Sequence, residues 1–367
     1  MIGPRFTPLV ASLPSTVPFV GPETQERARG RPFRARIGAN ESVFGPSPKA
    51  VAAMAQAAAE VWKYCDPENH DLKAALAAHH GVAPDNIVVG EGIDGLLGYL
   101  VRMLVEPGTP VATSLGAYPT FNFHVAGFGG RLVTTPYVDD REDPASLLAL
   151  ALRENAPLIY FANPDNPMGT WHDASTVQAM IEHLPDGTLL ILDEAYIEFA
   201  PAGLAPPIDT GDPRVIRFRT FSKAHGMAGA RIGYGIADKD FATAFNKVRN
   251  HFGVNRIAQA GALAALSDHA WLAHVQQSVV AARGRIASIA RANGLIALAS
   301  ASNFVTVDCG RDQPYAKAVL DGLIVRDVFV RMPFVAPQNR CIRISAGTAG
   351  DLDILEETLP EVLAGLA

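Results

Sequence analysis

From residue 87 onward, short apolar runs alternate with longer stretches whose apolar positions recur at helical spacing. Residues 87–89, 110–114, 158–162, 189–193, 215–219 and 232–236 are the runs, and they read as strands. Runs such as 158–162 and 189–192 show no polar alternation, the mark of strands covered on both faces of a parallel sheet. The regular exchange of strand and helix predicts βαβ units around a mostly parallel sheet.

Upstream, Ser47 and Pro48 suit the N-cap and first turn of an alanine-rich helix running to about Trp62, and a second helix from about Asp71 ends before Gly81. Residues 270–292 read as a long helix leaving this domain, and 304–307, 323–325 and 341–344 as short strands among helices. Residues 7–20 are apolar but broken by Pro8, Pro14 and Pro18, and read as an extended arm. The expected fold class is α/β. An arm over 1–44 precedes a large domain over 45–265, whose mostly parallel sheet is sandwiched by helices, and a smaller α+β domain follows over 266–367.

Composition narrows the class of partner. In 367 residues, hydrophobic types make up 49% and charged types 19%, the balance of a globular protein, and the length fits about two domains. The net charge is −6 and no basic cluster could neutralise a run of phosphates, so nucleic acid is not expected as a partner. No basic segment leads into a continuous apolar stretch and cleavage site, so neither membrane nor export is expected. Cys65, Cys309 and Cys341 are few, scattered and odd in number, which fits reduced thiols in a cytoplasm and offers no zinc spacing. His79 and His80 are adjacent, which suits a helix end better than a ligand pair; no metal is expected.

Three strand ends carry the candidate chemistry. The segment L-I-Y-F-A-N-P-D-N-P-M-G-T (158–170) delivers Asn163 and Asn166 on a proline-punctuated turn. L-L-I-L-D-E-A-Y (189–196) brings Asp193 to a strand tip, where ligands meet open α/β sheets, with Tyr196 three positions on. T-F-S-K-A-H-G-M-A-G-A-R (220–231) sets Lys223 beside Ser222 and eight residues before Arg231. An amine flanked by two phosphate-binding side chains is equipped to capture a phosphorylated aldehyde, and this points to a pyridoxal phosphate Schiff base. Residues 90–95, G-E-G-I-D-G, also match the dinucleotide pattern G-x-G-x-x-G, but no acid stands about twenty positions on. The same turn can still bind one phosphate through backbone N–H groups at a helix start.

Together with N-E-S-V-F-G-P-S-P (40–48), Y-C-D-P (64–67), G-L-I-V-R-D (322–327) and I-R-I-S-A-G-T (342–348), these segments resemble fold type I pyridoxal phosphate enzymes, in particular class I/II aminotransferases of the histidinol-phosphate aminotransferase type. The resemblance spans nearly the whole chain. It implies that Gly92 and Ile93 hold the cofactor phosphate by their backbone, with Ser222 and Arg231 completing the cradle. It implies that Asp193 keeps the ring nitrogen protonated, that Tyr196 and Asn166 hydrogen-bond the ring oxygen, and that Tyr118 lies against the ring face. Lys223 is then both the anchoring amine and the general base, and desolvation and Arg231 are expected to lower its pKa. The resemblance further implies that Tyr64 reaches the phosphate of a neighbouring subunit in a homodimer, that the arm packs with the C-terminal part, that Arg343 binds a substrate carboxylate and that Arg326 helps hold a substrate phosphate.

Three departures bear on the substrate. Phe44 replaces a tyrosine at the expected substrate mouth, Met168 replaces a threonine, and the segment between Arg326 and Arg343 is longer and more apolar than usual. They leave the cofactor residues intact and put an aromatic or other apolar amino donor beside histidinol phosphate. An amino group moved between an amino acid and a 2-oxo acid is the leading expectation. A lyase of the threonine-phosphate decarboxylase type is the alternative, and a non-catalytic cofactor-binding protein lacks any interaction module to support it.

Overall fold

The computed structural model describes residues 3, 5–15 and 20–366. The arm is not simply extended. Pro8–Ser12 forms a short helix, because the Thr7 hydroxyl accepts from the Val10 N–H and Pro8 occupies the first turn. Pro22–Arg29 forms another, opened by Pro22 and stopped at Gly30, whose φ of 70° ends the helix. Pro18 lies outside the described residues.

The strands in chain order are β1 (Ala35–Arg36), β2 (Ile87–Gly90), β3 (Pro110–Ser114), β4 (Arg131–Thr135), β5 (Leu158–Ala162), β6 (Leu189–Asp193), β7 (Val215–Thr220), β8 (Gly233–Ile236), β9 (Ile296–Ala297), β10 (Phe304–Asp308), β11 (Val328–Phe329) and β12 (Cys341–Ser345). Seven of them form one sheet in the order β2-β8-β7-β6-β5-β3-β4. Strands β3 to β7 run parallel, and β8 runs antiparallel to both β7 and β2. Every residue of β5 and β6 is buried, as their uninterrupted apolar character requires. The edge strand β4 was absent from the sequence expectations; only Val133 in it is buried, and it carries two threonines and an arginine.

Two sequence expectations are corrected here. Residues 323–325 are the last turn of the helix Gln313–Val325, which Asp312 caps by accepting from the Tyr315 N–H; the strand of this region is β11, three residues later. The helix at Pro48 stops at Ala58 instead of reaching Trp62, and Val61 and Trp62 are 63% and 76% exposed beyond it.

The C-terminal part surrounds the sheet β12-β10-β9. The long helix His269–Ala292 packs on it through Val275, Val279 and Ile286. The arm joins this part, with β1 pairing parallel to β11 in the register Ala35↔Val328. Ala35 and Ile37 share one apolar core with Phe304, Leu323 and Ile342. Among the described residues, no helix is long and apolar enough to cross a membrane.

The reversal at β8 positions the site. The carboxyl ends of β2, β5, β6 and β7 lie along one edge of the sheet, and because β8 runs the other way its amino end reaches that same edge. In register, Asp193 stands beside Ala162 and Phe218, and Gly233 beside both Gly90 and Thr220. Side chains that follow the ends of β5, β6 and β7, and Arg231 that precedes β8, therefore converge. A crevice at such an edge is where open α/β sheets bind ligands.

Candidate active site

The cleft at this edge holds about 580 Å³. Lys223, half-buried on the turn after β7, donates from Nζ to the Asn40 carbonyl at 3.0 Å and lies 5.6 Å from the centre of the Tyr196 ring. Burial lowers its pKa to about 8; Arg343 adds to the effect, Glu41 opposes it, and Arg231 contributes less. The sequence pointed to burial and Arg231 as the causes, and Arg343 outranks Arg231.

Asp193 is buried at the tip of β6. Its Oδ2 accepts from the Tyr160 hydroxyl at 2.6 Å and its Oδ1 from the Ala195 N–H at 2.9 Å. Burial raises its pKa, and Lys223 is the cation that opposes the rise. A buried acid of this kind is completed by a cationic N–H in the cleft. Tyr196 is 4% exposed, accepts from Asn40 Nδ2 at 3.1 Å and packs edge-on against Phe304. Tyr118, at the start of the helix Pro119–Gly127, lines the cleft, and burial raises its hydroxyl pKa.

At the other end of the cleft is an anion cradle. Gly92 opens the helix Gly92–Leu104 with φ 76°, a conformation that favours glycine, and a Cβ there would strike the Arg231 guanidinium. Gly233 is tight for a related reason: a Cβ would stand 2.9 Å from the Ile93 nitrogen. Arg231, itself at φ 56°, donates from Nη1 to Ser222 Oγ at 3.3 Å and to the Ala228 carbonyl at 2.9 Å, and from Nη2 to the Glu91 carbonyl at 3.4 Å. Ser222 is fixed by Thr220, whose hydroxyl accepts from the Ser222 N–H at 3.0 Å. A helix start, a serine and an exposed guanidinium together fit a phosphate. Beside the amine of Lys223 and the acid of Asp193, this donor set fits the phosphate, aldehyde and ring nitrogen of pyridoxal phosphate.

Arg343 donates from Nη1 to Asn166 Oδ1 at 2.5 Å and from Nη2 to the Gly38 carbonyl at 3.3 Å, and its buried Nε has no partner among the described residues. Burial lowers its pKa to about 10. Arg331, which sequence reasoning missed, lines the same cleft. Its backbone bridges Arg343, its Nη2 donates to the Val20 carbonyl at 2.7 Å, and burial lowers its pKa. It stands one residue beyond the apolar run 328–330, five positions past Arg326, so the signal was a lone cation at the end of a buried run.

Two expected site residues, Arg326 and Phe44, lie outside the cleft, and Tyr64, expected at a neighbouring subunit's site, is outside this chain's own. Arg326 caps the helix Gln313–Val325 on the surface, donating to Glu361 at 3.4 Å and to the Gly322 carbonyl at 3.3 Å; it does not line the cleft, because the helix extends through the residues read as a strand. Phe44 packs against the C-terminal apolar core instead of lining the mouth, which is formed by Phe123, Met332, Pro333 and Phe334. Tyr64 is 79% exposed, stacks 4.9 Å from Phe252 and is not in this chain's cleft.

An open sheet whose strand ends gather a half-buried lysine, a buried acid and an anion cradle defines an α/β enzyme site for a phosphorylated aldehyde. Comparison with known proteins makes the class specific. The family described as aminotransferase class I and II matches residues 36–359, and this chain belongs to it. It is 34% identical over 347 residues to histidinol-phosphate aminotransferase 1 of Mesorhizobium japonicum, covering 93% of this chain and 94% of the relative. It is 36% identical to the histidinol-phosphate aminotransferase of an Anaeromyxobacter species, covering 89% and 91%. A crystal structure of histidinol-phosphate aminotransferase from Sinorhizobium meliloti in complex with pyridoxal 5'-phosphate superposes with a TM-score of 0.96 at 58% identity, over 100% of this chain and 99% of that one. The chain is therefore a pyridoxal phosphate-dependent aminotransferase acting on a small-molecule amino donor and a 2-oxo acid; a decarboxylase is not favoured.

Proposed function

We propose that this aminotransferase takes its amino group from an amine bearing a ring and one phosphate, histidinol phosphate being the leading donor, and passes it to a dicarboxylic 2-oxo acid. The observation that carries this reading is the pair of guanidinium groups, Arg343 and Arg331, lining one cleft with Lys223 under an apolar mouth. A fork of N–H donors binds carboxylate or phosphate in bidentate fashion, so two forks suit the two carboxylates of the dicarboxylic partner, and the single phosphate of histidinol phosphate takes the place of one of them. The names of the relatives support the same donor.

Bound pyridoxal phosphate supplies an aldehyde for the amine and a ring that draws electrons from the substrate α-carbon. Around it, each side chain has a definite task. Lys223, with its pKa lowered to about 8, is in part neutral near pH 7 and would carry a proton from the substrate α-carbon to the carbon that was the cofactor's aldehyde. Asp193 holds a proton on the ring nitrogen, and Tyr196 and Asn166 orient the ring oxygen. Tyr118 covers the ring face. Ser222, Arg231 and the backbone at Gly92 and Ile93 hold the phosphate.

We also read the active form as a cytoplasmic homodimer in which Tyr64 completes the neighbouring cradle. Its support is an exposed apolar patch: Trp62 is 76% exposed, Tyr64 79% and Phe252 55%. Clustered exposure of large apolar side chains marks an association surface.

The test is spectral. Histidinol phosphate, aromatic amino acids and glutamate are added singly to the loaded enzyme, and conversion of the cofactor absorbance to the pyridoxamine form is followed. Conversion by histidinol phosphate and glutamate supports the reading; conversion by neutral aliphatic donors alone overturns it. Lys223→Ala abolishes turnover.

A further inference from the structure

Behind the Asn166 turn lies a pair of acids that none of these tasks uses. Glu142 and Asp165 are 1% and 2% exposed. Glu142 enters from the segment after β4; its Oε1 accepts from the Ala162 N–H at 3.0 Å, and its buried Oε2 receives no hydrogen bond from an N–H or hydroxyl donor among the described residues. Asp165 accepts from the Tyr137 hydroxyl at 2.9 Å and from the Met168 N–H at 3.0 Å, and its carboxyl is in hydrogen-bond contact with that of Glu142.

Among the described residues, neither acid is ion-paired with a lysine, arginine or histidine side chain. Ser114 faces Glu142 from the end of β3, and its hydroxyl is likewise buried without a partner. Asp193 from β6, Tyr160 from β5 and Tyr137 are the other titratable groups acting on the pair. His172 Nε2 meets the Glu142 backbone carbonyl at 2.6 Å. Asp140 on the same segment is already paired with Arg340, and Arg343 acts on Asp165 from the far side of Asn166. Burial raises the pKa of both acids. Two bare carboxylates in contact and out of water repel; one proton turns that repulsion into a hydrogen bond.

We propose that Glu142 and Asp165 hold one proton between them and, as positioning residues, keep Asn166 aimed at Arg343. The coupling is short. Asp165 precedes Asn166, its side chain fixes the Met168 N–H, and its own N–H donates to the Thr170 carbonyl at 2.9 Å, so the turn is held on both sides of Asn166. Loss of the proton drives the carboxyls apart and carries Asn166 off the 2.5 Å contact with Arg343. The consequence for substrate rests on the reading of Arg343 as a carboxylate clamp.

Infrared spectroscopy of the full-length, pyridoxal phosphate-loaded protein tests the shared proton. A carbonyl stretch of a protonated carboxyl is expected near neutral pH in the wild type. It is lost on Glu142→Gln and equally on Asp165→Asn, because the new amide donates and lets the remaining acid ionise. Its survival in either variant assigns the proton to one residue and overturns the sharing. The side-chain amide resonance of Asn166 tests the positioning: it shifts with pH at the midpoint of the infrared band in the wild type and stays flat in Glu142→Gln. An Asn166 resonance indifferent to that midpoint in the wild type overturns the positioning, and this reading stands alone if a variant fails to fold. Maleate affinity that varies with pH in the wild type and not in Glu142→Gln extends the effect to Arg343. Absence of maleate binding at every pH counts against the clamp and leaves a shared proton seen by the other two readouts standing.

Discussion

Lys223 Nζ donates to the backbone carbonyl of Asn40 at 3.0 Å, so the reactive amine of the large sheet is held by the N-terminal arm. Asn40 is tied in turn to the C-terminal part: its N–H donates to Ser345 Oγ at 2.9 Å and its carbonyl accepts from Asn303 at 3.1 Å. Three regions of the chain thus set the position of one nitrogen.

The lowered pKa of that nitrogen sets a pH dependence. An ammonium cannot attack an aldehyde, so the cofactor-free protein captures pyridoxal phosphate faster as pH rises through about 8 and no faster beyond it. An ordinary lysine would keep gaining up to 10.5. Stopped-flow absorbance across the pH range reads the midpoint, and Glu41→Gln moves it lower, because Glu41 favours the proton.

Arg331 and Arg326 separate two readings of the substrate's second anion. Arg331→Ala is expected to raise KM for phosphorylated or dicarboxylic substrates by roughly ten- to a hundredfold, the scale of a lost charge-assisted hydrogen bond. Arg326→Ala leaves both constants within about twofold, as for a surface ion pair. Steady-state kinetics with one monoanionic and one dianionic substrate makes the comparison.

Gly92→Ala weakens the cradle. The alanine must adopt φ 76° and its methyl group displaces the Arg231 guanidinium, so pyridoxal phosphate is held about tenfold or more weakly, for a strain of roughly 1–3 kcal/mol. Equilibrium dialysis of the cofactor measures it, with circular dichroism as the check on the fold.

Glu194, beside Asp193, carries a structural load. It accepts from Arg217 at 2.6 Å and from Arg219 at 2.8 Å, and these arginines hold its pKa below the ordinary carboxylate value against the effect of burial. Glu194→Ala leaves buried guanidinium charge unpaired and costs about 3–5 kcal/mol in denaturant unfolding of the cofactor-free protein. For a carboxylate lowered by folding, the stabilisation is present above the usual value of 4.5 and is lost as pH falls through the folded value. The gap between wild type and variant therefore closes in acid.

The sheet and the cofactor side of the site were legible in the sequence because their signals are local. Buried parallel strands such as β5 and β6 announce themselves as unbroken apolar runs, and Asp193, Asn166 and Lys223 follow directly from strand ends. The substrate side was harder. Residues 323–325 are apolar in either a strand or the last turn of a helix, and only the helix start at Asp312 and Pro314 decides. Arg326 was expected from the resemblance of its segment alone, which carries no information on which way the side chain faces, and the structure puts Arg331 in the cleft in its place. The arm helix Pro22–Arg29 had its proline and glycine markers in plain view, whereas the edge strand β4, as long as β5 and β6, is too mixed in polarity to stand out.

The backward course of β8 has an effect on the birth of the enzyme. Gly92 and Arg231 are 139 residues apart in sequence, and only the reversed strand lets them face one anion. A growing chain that has completed its first glycine turn owns half a grip on vitamin B6. The other half arrives after most of the sheet has been synthesised, so no complete grip on the coenzyme exists before β8 is in place.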